Sequence, residues 1–230
     1  MFQKFRQRSH ELERLDTGDY TPDEYARWQR EMSLIHGVWG EKRALEHSLI
    51  REIRDEAPGR VSILDVGAGT GGILKLIKDM LADIETFLVA GETSREALNA
   101  VRVASATTGI VPLECDALSL PFTDDSFDYV ICTLMLHHLT DTDAEVLMKE
   151  MRRVAQRRFF IVDLNRHPVG YYAYRLVSPF LLQPFTQQDG ALSILRSFTP
   201  SEMLALAHSA GVQEASVTHS RANRLILSGK

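Results

Sequence analysis

The stretch Ile63-Leu-Asp-Val-Gly-Ala-Gly-Thr-Gly-Gly72 decides the fold of this 230-residue chain. A buried strand pattern runs directly into a glycine-rich turn, and a helical pattern follows. Glycines permit the tight turn and let a ligand approach the backbone, where free N–H groups of the helix N-terminus face it. Gly67, Gly69 and Gly72 match the G-x-G-x-x-G spacing, and Glu92 lies twenty residues beyond, where an acid can hold ribose hydroxyls. The stretch therefore predicts a nucleoside-binding βαβ unit.

Strand and helix patterns alternate around this turn. The predicted strands are 61–66, 85–90, 110–115, 127–132 and 159–163. The predicted helices between them are 71–81, 94–105 and 141–155. Apolar strands that alternate with helices indicate an α/β fold, in which a parallel sheet is covered on both faces. After a helix at 201–209, the chain closes with a hairpin of 212–218 and 224–227, which we place antiparallel at the sheet edge.

Two further segments flank this pattern. Residues 1–57 are predicted to form an N-terminal helical lobe that caps the substrate, and 58–230 form the ligand-binding domain. Within that domain, 164–199 is predicted to be an irregular, aromatic-rich, lid-like insertion after the fifth strand. The lobe carries an apolar stripe at helical spacing, formed by Trp28, Met32, Ile35 and Trp39.

Composition excludes several classes of protein. With 44% hydrophobic and 25% charged residues and a formal charge of −5, the chain is neither disordered nor basic enough to attract a nucleic-acid backbone. The most apolar stretch, 169–185, is interrupted by Arg175, Pro179 and Pro184, so we expect no transmembrane span. Two cysteines in strand-like runs and an N-terminus without a signal-peptide pattern favour a cytoplasmic protein.

The acid just before the glycine turn indicates which ligand binds there. Asp65 points its negative charge toward the helix N-terminus, so it would repel a pyrophosphate and attract a ligand that carries ammonium and sulfonium groups. This disfavours an NAD(P)-dependent oxidoreductase, the main alternative for such a turn.

Further motifs follow the later strands in order: Glu92-Thr-Ser94, Cys115-Asp-Ala117, Asp125-Ser-Phe-Asp-Tyr129 and Leu134-Met-Leu-His-His-Leu139. With them, the sequence resembles the class I S-adenosylmethionine-dependent methyltransferases, and within these the ubiquinone/menaquinone-type and other small-molecule methyltransferases. The resemblance covers residues 61–162 and the terminal hairpin. It implies a Rossmann-like sheet of seven strands in the order 3-2-1-4-5-7-6, with strand 7 antiparallel.

The resemblance also implies S-adenosyl-L-methionine as cofactor and S-adenosyl-L-homocysteine as product. Glu92 would bind both ribose hydroxyls, with Thr93 beside the adenine. Asp116 and the Ala117 N–H would bind the adenine edge. The residues implied for the methionine part are Asp65, Gly67, Ala68, Gly69, Thr70, Gly71, Thr133 and Leu134.

Two adjacent histidines are the candidates for acceptor activation. His137 and His138 follow the fourth strand, and an imidazole with a pKa near 6.5 is available as a base at neutral pH. A packing or positioning role is the alternative, with His138 favoured over His137 for catalysis. No H-E-x-x-H or similar spacing is present, and methyl transfer requires no metal, so we predict none.

The acceptor itself is predicted from the flanking segments. Their aromatic content favours an apolar pocket, with Trp39, His36, Asn165, Tyr171 and Tyr172 as candidate substrate residues. We therefore expect biosynthetic methylation of a small apolar molecule, most simply at a hydroxyl oxygen of an aromatic, quinone-like or polyketide-type compound. C- or N-methylation, a non-catalytic S-adenosylmethionine-binding module, a peripheral membrane contact, and a monomer or homodimer all stay open.

Overall fold

The computed structural model describes residues 3–38 and 40–230, without the side chains of residues 33, 34 and 36–38. Trp39 and the side chain of His36, both predicted to contact the substrate, lie outside the described part.

A sheet of seven strands forms the centre of the molecule. The strands are β1 (Arg60–Val66), β2 (Glu85–Glu92), β3 (Val111–Glu114), β4 (Phe127–Thr133), β5 (Ala155–Leu164), β6 (Ser216–Ser220) and β7 (Arg224–Gly229). Their order is β3-β2-β1-β4-β5-β7-β6. The first five strands pair in parallel, and β7 is antiparallel to both β5 and β6. The predicted fold class, strand order and antiparallel β7 are confirmed.

The two faces of the sheet bury separate cores. Alternate residues of β4 point to opposite faces: Tyr129 and Ile131 belong to one core, Val130 and Cys132 to the other. This period of two is what a strand buried on both sides requires.

Ten α-helices surround the sheet within the described residues. They are α1 (Arg14–Thr17), α2 (Pro22–Val38), α3 (Glu41–Leu45), α4 (Arg51–Glu56), α5 (Gly72–Met80), α6 (Arg95–Thr108), α7 (Asp141–Val154), α8 (Pro168–Leu181), α9 (Pro184–Arg196) and α10 (Pro200–Ser209). A π-helical turn, Glu46–Ile50, joins α3 to α4, and 3-10 turns lie at Gln3–Phe5 and Leu136–His138. Helices α3 to α5 supply one core, and α7 with α10 supplies the other.

The insertion after β5 is helical, so its predicted irregular structure is wrong. Pro168 and Pro184 stand at the first turns of α8 and α9, where a proline's missing N–H costs no hydrogen bond. Pro184, predicted to interrupt the apolar stretch 169–185, thus begins a helix. Helices α8 and α9 pack closely because Gly190 leaves room for the Tyr174 ring. Helix α8 also approaches the β6–β7 turn closely, because Gly170 leaves room for Asn223.

The N-terminal segment packs on these elements. Helix α2 contacts both α5 and α9, and Gly40 lies against the β6–β7 turn. Arg224 of β7 forms a buried ion pair with Glu41 at 2.5 Å, which ties the start of α3 to the last strand. In the part of the chain that the structure describes, no helix is long and apolar enough to cross a membrane.

Candidate functional site

A cavity of about 1020 Å³ opens at the carboxyl ends of β1, β2, β4 and β5. Helices α2, α8 and α9 form its opposite wall. Parallel α/β sheets bind ligands at this edge, because the loops that leave the strands separate there. We call the side near the glycine loop the cofactor end, and the side near His137 and His138 the acceptor end.

The glycine loop takes the shape that its sequence predicts. Gly67, Gly69 and Gly71 have φ values of +73°, +52° and +77°. These angles lie in the left-handed region, which favours glycine over residues with a side chain. The N–H groups of Gly67 and Ala68 both donate to the Gly91 carbonyl, at 2.9 and 3.1 Å. These bonds hold the loop against β2, beside the cavity.

Asp65 is the most unusual group at the cofactor end. Its side chain is buried, yet within the described residues neither carboxylate oxygen has a hydrogen-bond partner. The hydroxyl of Thr133, which also borders the cavity, is likewise buried without a partner among them. Burial raises the pKa of Asp65 well above its usual range, and the Glu92 carboxylate raises it further. Buried polar groups are nearly always hydrogen-bonded, so these atoms mark a place for a ligand.

Glu92 closes the other side of the glycine loop. One of its oxygens accepts from the Gly69 N–H at 2.9 Å, and the other accepts from the N–H groups of Thr93 and Ser94 at 2.8 and 3.0 Å. Because Glu92 also borders the cavity, its remaining acceptor capacity faces the space where a ribose would lie.

The backbone is strained at the residue that follows β4, beside the cavity. Leu134 has a φ of +53°, and its N–H donates to the Val162 carbonyl at 2.9 Å. A left-handed conformation is costly for a leucine and persists where the surrounding structure fixes it. The turn directs the following residues, His137 and His138, toward the cavity.

The two histidines of the acceptor end are each held by an aspartate. His137 is buried, its Nδ1 lies 2.6 Å from Asp163 Oδ1, and its backbone N–H donates to the other oxygen of Asp163 at 3.0 Å. His138 Nδ1 lies 2.7 Å from Asp16 Oδ1. Burial alone would raise the pKa of Asp163, but the charge and hydrogen bonds of His137 outweigh it and hold that pKa below its usual value.

The N-terminal segment brings a third group, Glu13, to these histidines. Glu13 Oε1 lies 3.9 Å from His137 Nε2, accepts from the Ser193 hydroxyl at 2.9 Å, and lies 3.7 Å from the Arg196 guanidinium. Burial raises the pKa of Glu13 to about 7, against the opposing effects of His138, Ser193 and Arg196. Arg196 also pairs with Asp16.

Helix α9 fixes this segment in place. Asp189 accepts from the backbone N–H groups of Arg14 and Leu15, at 3.0 and 2.9 Å, at the start of α1. Arg8 donates to the carbonyls of Arg196 and Leu139 at 2.6 and 3.0 Å. The position of Glu13 therefore depends on contacts between residues that are far apart in the sequence.

Aromatic side chains line the remaining wall. Tyr20 stacks on Tyr25, and Tyr25 stacks on Trp28, with ring centroids 5.1 and 5.5 Å apart. Tyr174 of α8 also borders the cavity, and its hydroxyl donates to the Thr186 carbonyl at 2.7 Å. This wall is apolar and flat, which suits a ring system.

Most of the predicted site residues border this cavity. They are Asp65, Gly67, Ala68, Gly69, Thr70, Glu92, Thr133, Leu134, His137 and His138. Gly71 completes the turn behind them, and Thr93, Asp116 and Ala117 lie beyond the cavity lining at the ends of β2 and β3. Asp116 accepts from the Leu118 N–H at 2.9 Å. The adenine contacts predicted for these residues stay predictions.

Three predicted substrate residues need correction. The ring of Tyr171 packs against Phe5, Tyr172 is 39% exposed, and neither borders the cavity. Because α8 is a helix, its inward face carries Gly170, Ala173, Tyr174 and Val177. Asn165 is buried below the cavity, where its carbonyl accepts from the Asn223 side chain at 2.8 Å.

Five residues of the site were not predicted from the sequence: Glu13, Asp189, Tyr20, Tyr25 and Tyr174. Tyr25 precedes Trp28 by one helical turn, so it extends the predicted stripe and could have been found. Nothing local to Glu13 or Asp189 indicates a role, since their partners lie in distant segments.

Comparison with known proteins agrees with this geometry. Residues 63–158 match the family model described as "Methyltransferase domain". Over this span, the match, the glycine loop and the strand order agree with a class I S-adenosylmethionine-dependent methyltransferase domain. A 96-residue segment of the chain is 35% identical to a ubiquinone/menaquinone biosynthesis C-methyltransferase of Stenotrophomonas maltophilia, and equally to one of Xanthomonas oryzae. The match covers 40% of this chain and 37% of each relative.

Solved structures share the fold of this chain over a longer span. The plantazolicin methyltransferase BpumL, bound to a monoazolic desmethylPZN analog and SAH, aligns with a TM-score of 0.70 at 14% identity, covering 94% of this chain and 93% of that one. A SAM-dependent methyltransferase from Aquifex aeolicus aligns with a TM-score of 0.56 at 16% identity, covering 78% and 88%. At such identities the likeness establishes the fold alone.

Proposed function

We propose that this protein transfers a methyl group from S-adenosyl-L-methionine to a small, largely apolar acceptor, at a hydroxyl oxygen of an aromatic, quinone-like or polyketide-type ring. One observation carries the proposal: the buried Asp65 beside the glycine loop, whose carboxylate has no hydrogen-bond partner among the described residues. Its carboxylate needs a cationic partner, and the cofactor brings an ammonium group to this edge of the sheet.

The residues of the cofactor end fit this cofactor. An ammonium would pair with Asp65, and a carboxylate would be received by backbone N–H groups of the loop. Glu92 has acceptor capacity left for ribose hydroxyls. The aromatic wall and the loop together leave a cavity of about 1020 Å³, which holds a cofactor and a second small molecule.

The cofactor supplies an electrophilic methyl group on a sulfonium. The protein's part is to align the acceptor with that group and to exclude water, and such positioning can contribute about 7–11 kcal/mol at best. His137 and His138 stand at the acceptor end, where they would orient and activate the acceptor's hydroxyl.

C-methylation is the second candidate, because the relatives from Stenotrophomonas maltophilia and Xanthomonas oryzae are named C-methyltransferases. Both reactions need the protein to favour ionisation of the acceptor's hydroxyl, because an ionised hydroxyl on a ring makes the oxygen and the neighbouring ring carbon nucleophilic. The two differ only in which atom lies in line with the methyl group.

The acceptor's apolar character is supported outside the cavity as well. Helix α8 exposes Val169, Leu176 and Phe180, which are 69%, 72% and 84% accessible. Such a surface suits an apolar acceptor or a peripheral membrane contact, and the latter stays a prediction.

A ligand-binding measurement tests the cofactor assignment. S-adenosylhomocysteine at 100 times its dissociation constant would stabilise the fold by about 2.7 kcal/mol and raise the melting temperature. NADH and NADPH should give no shift. A shift with either dinucleotide and none with S-adenosylhomocysteine would refute the proposal.

A labelled-methyl assay tests the reaction. The chain would be incubated with the ¹³C-methyl cofactor and a panel of phenols and quinols, and the product carbon shift would distinguish O-methyl from C-methyl groups. Binding without turnover of any acceptor would favour the non-catalytic module.

A further inference from the structure

We propose that Glu13, His137 and His138 form a binding site for a divalent first-row transition-metal ion such as Zn²⁺, at the acceptor end of the cavity. The binding of the ion depends only on these residues. Its role in catalysis rests on the proposed function.

The first observation is the geometry of three ligand groups. Glu13, His137 and His138 each offer one ligand atom, and these atoms all lie within 4.8 Å of one another. In a tetrahedral site with bonds of about 2.0–2.1 Å, neighbouring ligand atoms lie roughly 3.4 Å apart. The side chains would therefore close by roughly 1 Å around an ion. Two imidazoles and one carboxylate, with further positions open, form a ligand set used by catalytic zinc and non-haem iron sites.

The second observation is independent of the first and concerns the Nδ1 atom of each imidazole ring. His137 Nδ1 is bound to Asp163 at 2.6 Å, and His138 Nδ1 is bound to Asp16 at 2.7 Å. A carboxylate accepts hydrogen bonds, so in the neutral form of each ring an aspartate at this place favours the tautomer with the proton on Nδ1, and Nε2 then offers its lone pair to a metal ion. Metal-binding histidines almost always have such a partner, which fixes the ring and makes its nitrogen more basic.

Charge also favours a cation here. Glu13, Asp16 and Asp163 surround the two rings, and one guanidinium, that of Arg196, contacts the first two of these carboxylates. Arg8 lies nearby, but its guanidinium is directed to Asp141 and to the carbonyls of His137 and Leu139. Among the described groups, three carboxylates therefore lie around the rings and one guanidinium contacts two of them, an arrangement that a divalent ion would complement.

A spacing search on the sequence could not find this site. The two histidines are adjacent, and the third ligand comes from a segment that reaches them only through the contacts of α9. The prediction of no metal considered spacing within single elements, and the present proposal replaces it.

In catalysis the ion would bind the acceptor's hydroxyl oxygen and lower its pKa, so that the proton leaves to solvent. In the transfer step, a bond forms between that oxygen, or the ring carbon beside it, and the methyl carbon. The carbon–sulfur bond breaks, and its electron pair stays on sulfur. Where the ring carbon is methylated, the proton on that carbon then leaves to solvent and the ring returns to its phenolate form. The acceptor class is thus a small apolar ring with an oxygen that can bind a metal.

Metal binding is tested directly on the full chain. Protein stripped with a chelator would be dialysed against Zn²⁺ and its metal content measured by plasma mass spectrometry, with Co²⁺ as a spectroscopic probe. We expect one ion per chain, visible d–d bands for Co²⁺, and a melting temperature that rises with Zn²⁺.

Variants assign the ligands. Glu13→Gln and His138→Gln should each weaken Zn²⁺ binding by at least about 100-fold, and Asp16→Asn, which acts through His138, by about 10–100-fold. Glu11→Gln and His219→Gln, which change exposed residues elsewhere, should bind Zn²⁺ like the parent. Circular dichroism and S-adenosylhomocysteine binding would verify that each variant is folded.

The outcomes separate this proposal from the proposed function. The metal site is refuted if the chain does not bind Zn²⁺, or if Glu13→Gln and His138→Gln bind Zn²⁺ as the parent does. This holds even if the stripped chain binds S-adenosylhomocysteine and methylates an acceptor. If the parent chain binds Zn²⁺ but not S-adenosylhomocysteine, and the two variants lose Zn²⁺ binding, the metal site is supported and the proposed function is refuted.

Discussion

Asp65 and Asp163 occupy matching places at the carboxyl ends of β1 and β5, and both are 1% exposed. Asp163 accepts hydrogen bonds from His137 and from the Leu164 N–H, while Asp65 has no partner among the described residues. The pKa of Asp163 accordingly lies below its usual value, and that of Asp65 lies well above it.

This difference shows how the two ends of the cavity are built. At the acceptor end, Asp163 and Asp16 have hydrogen-bond partners within the protein, and the resulting network holds the two histidines in place. At the cofactor end, the protein leaves a buried charge unsatisfied, which costs stability until a cationic ligand arrives. One aspartate therefore supports the fold, and the other supports binding.

Removing Asp163 should give the largest effect. Asp163→Ala leaves the His137 ring and two backbone N–H groups buried without their acceptor, and breaking a buried charged pair typically costs about 3–5 kcal/mol. We expect the free energy of unfolding to fall by that amount in urea denaturation. A loss below about 1 kcal/mol would show that Asp163 is not the anchor of this network.

Removing the charge of Asp65 should act in the opposite direction on stability. Asp65→Asn should weaken S-adenosylhomocysteine binding by about 2–5 kcal/mol, or about 30-fold or more, since it removes one partner of a buried charged contact. The ligand-free variant should be more stable than the parent. Calorimetric titration and thermal denaturation measure the two effects, with Asp79→Asn, at the rim of the same cavity, as the control.

The pH dependence follows from the raised pKa of Asp65. A carboxyl whose pKa is higher in the folded than in the unfolded state binds more protons when folded, so its contribution to stability is lost as the pH rises. The melting temperature of Asp65→Asn should therefore exceed that of the ligand-free parent by more at pH 8 than at pH 5. An equal difference at both pH values would contradict the buried, ionisable state of Asp65.

The difference between the cofactor end and the acceptor end also explains which parts of the site could be predicted from the sequence. Every cofactor-end residue lies in or just after a strand of the βαβ pattern, so a local motif places it: the glycine turn, Asp65 and Glu92 are all found this way. The order of the sheet came from the family resemblance, and the structure bears it out.

The acceptor end could not be predicted in the same way. Glu13 and Asp16 reach the histidines only because Asp189 and Arg196 of α9 hold them there, and α9 itself was expected to be irregular. The side of α8 that faces the cavity depends on helical geometry, so Tyr174 borders the cavity while Tyr171 and Tyr172 do not. Such positions are set by tertiary packing, which leaves little local signal.

Glu92 should give a smaller effect than Asp65, because it loses hydrogen bonds to neutral hydroxyls rather than a buried charge pair. Glu92→Gln should weaken S-adenosylhomocysteine binding by about 1.5–3 kcal/mol. Calorimetric titration would test this, with Glu114→Gln at the end of the neighbouring strand as the control. Unchanged affinity would show that the ribose lies elsewhere, and the assignment of the cofactor end would need revision.

The smallest expected changes are in stability, and they differ in sign between two glycines of the same loop. Gly67 has a φ of +73°, and an added Cβ would meet the Met135 side chain. Gly67→Ala should therefore cost about 1–2 kcal/mol of stability, since the left-handed conformation is strained for alanine. Gly72 begins α5, and an added Cβ meets nothing within 4 Å, so Gly72→Ala should stabilise the ligand-free chain by about 0.4–1 kcal/mol. Urea denaturation of both variants would test the loop's geometry without any ligand. If both substitutions were neutral, the turn would not be held in this conformation before the cofactor binds, and Asp65 would stand beside a flexible loop rather than a preformed site.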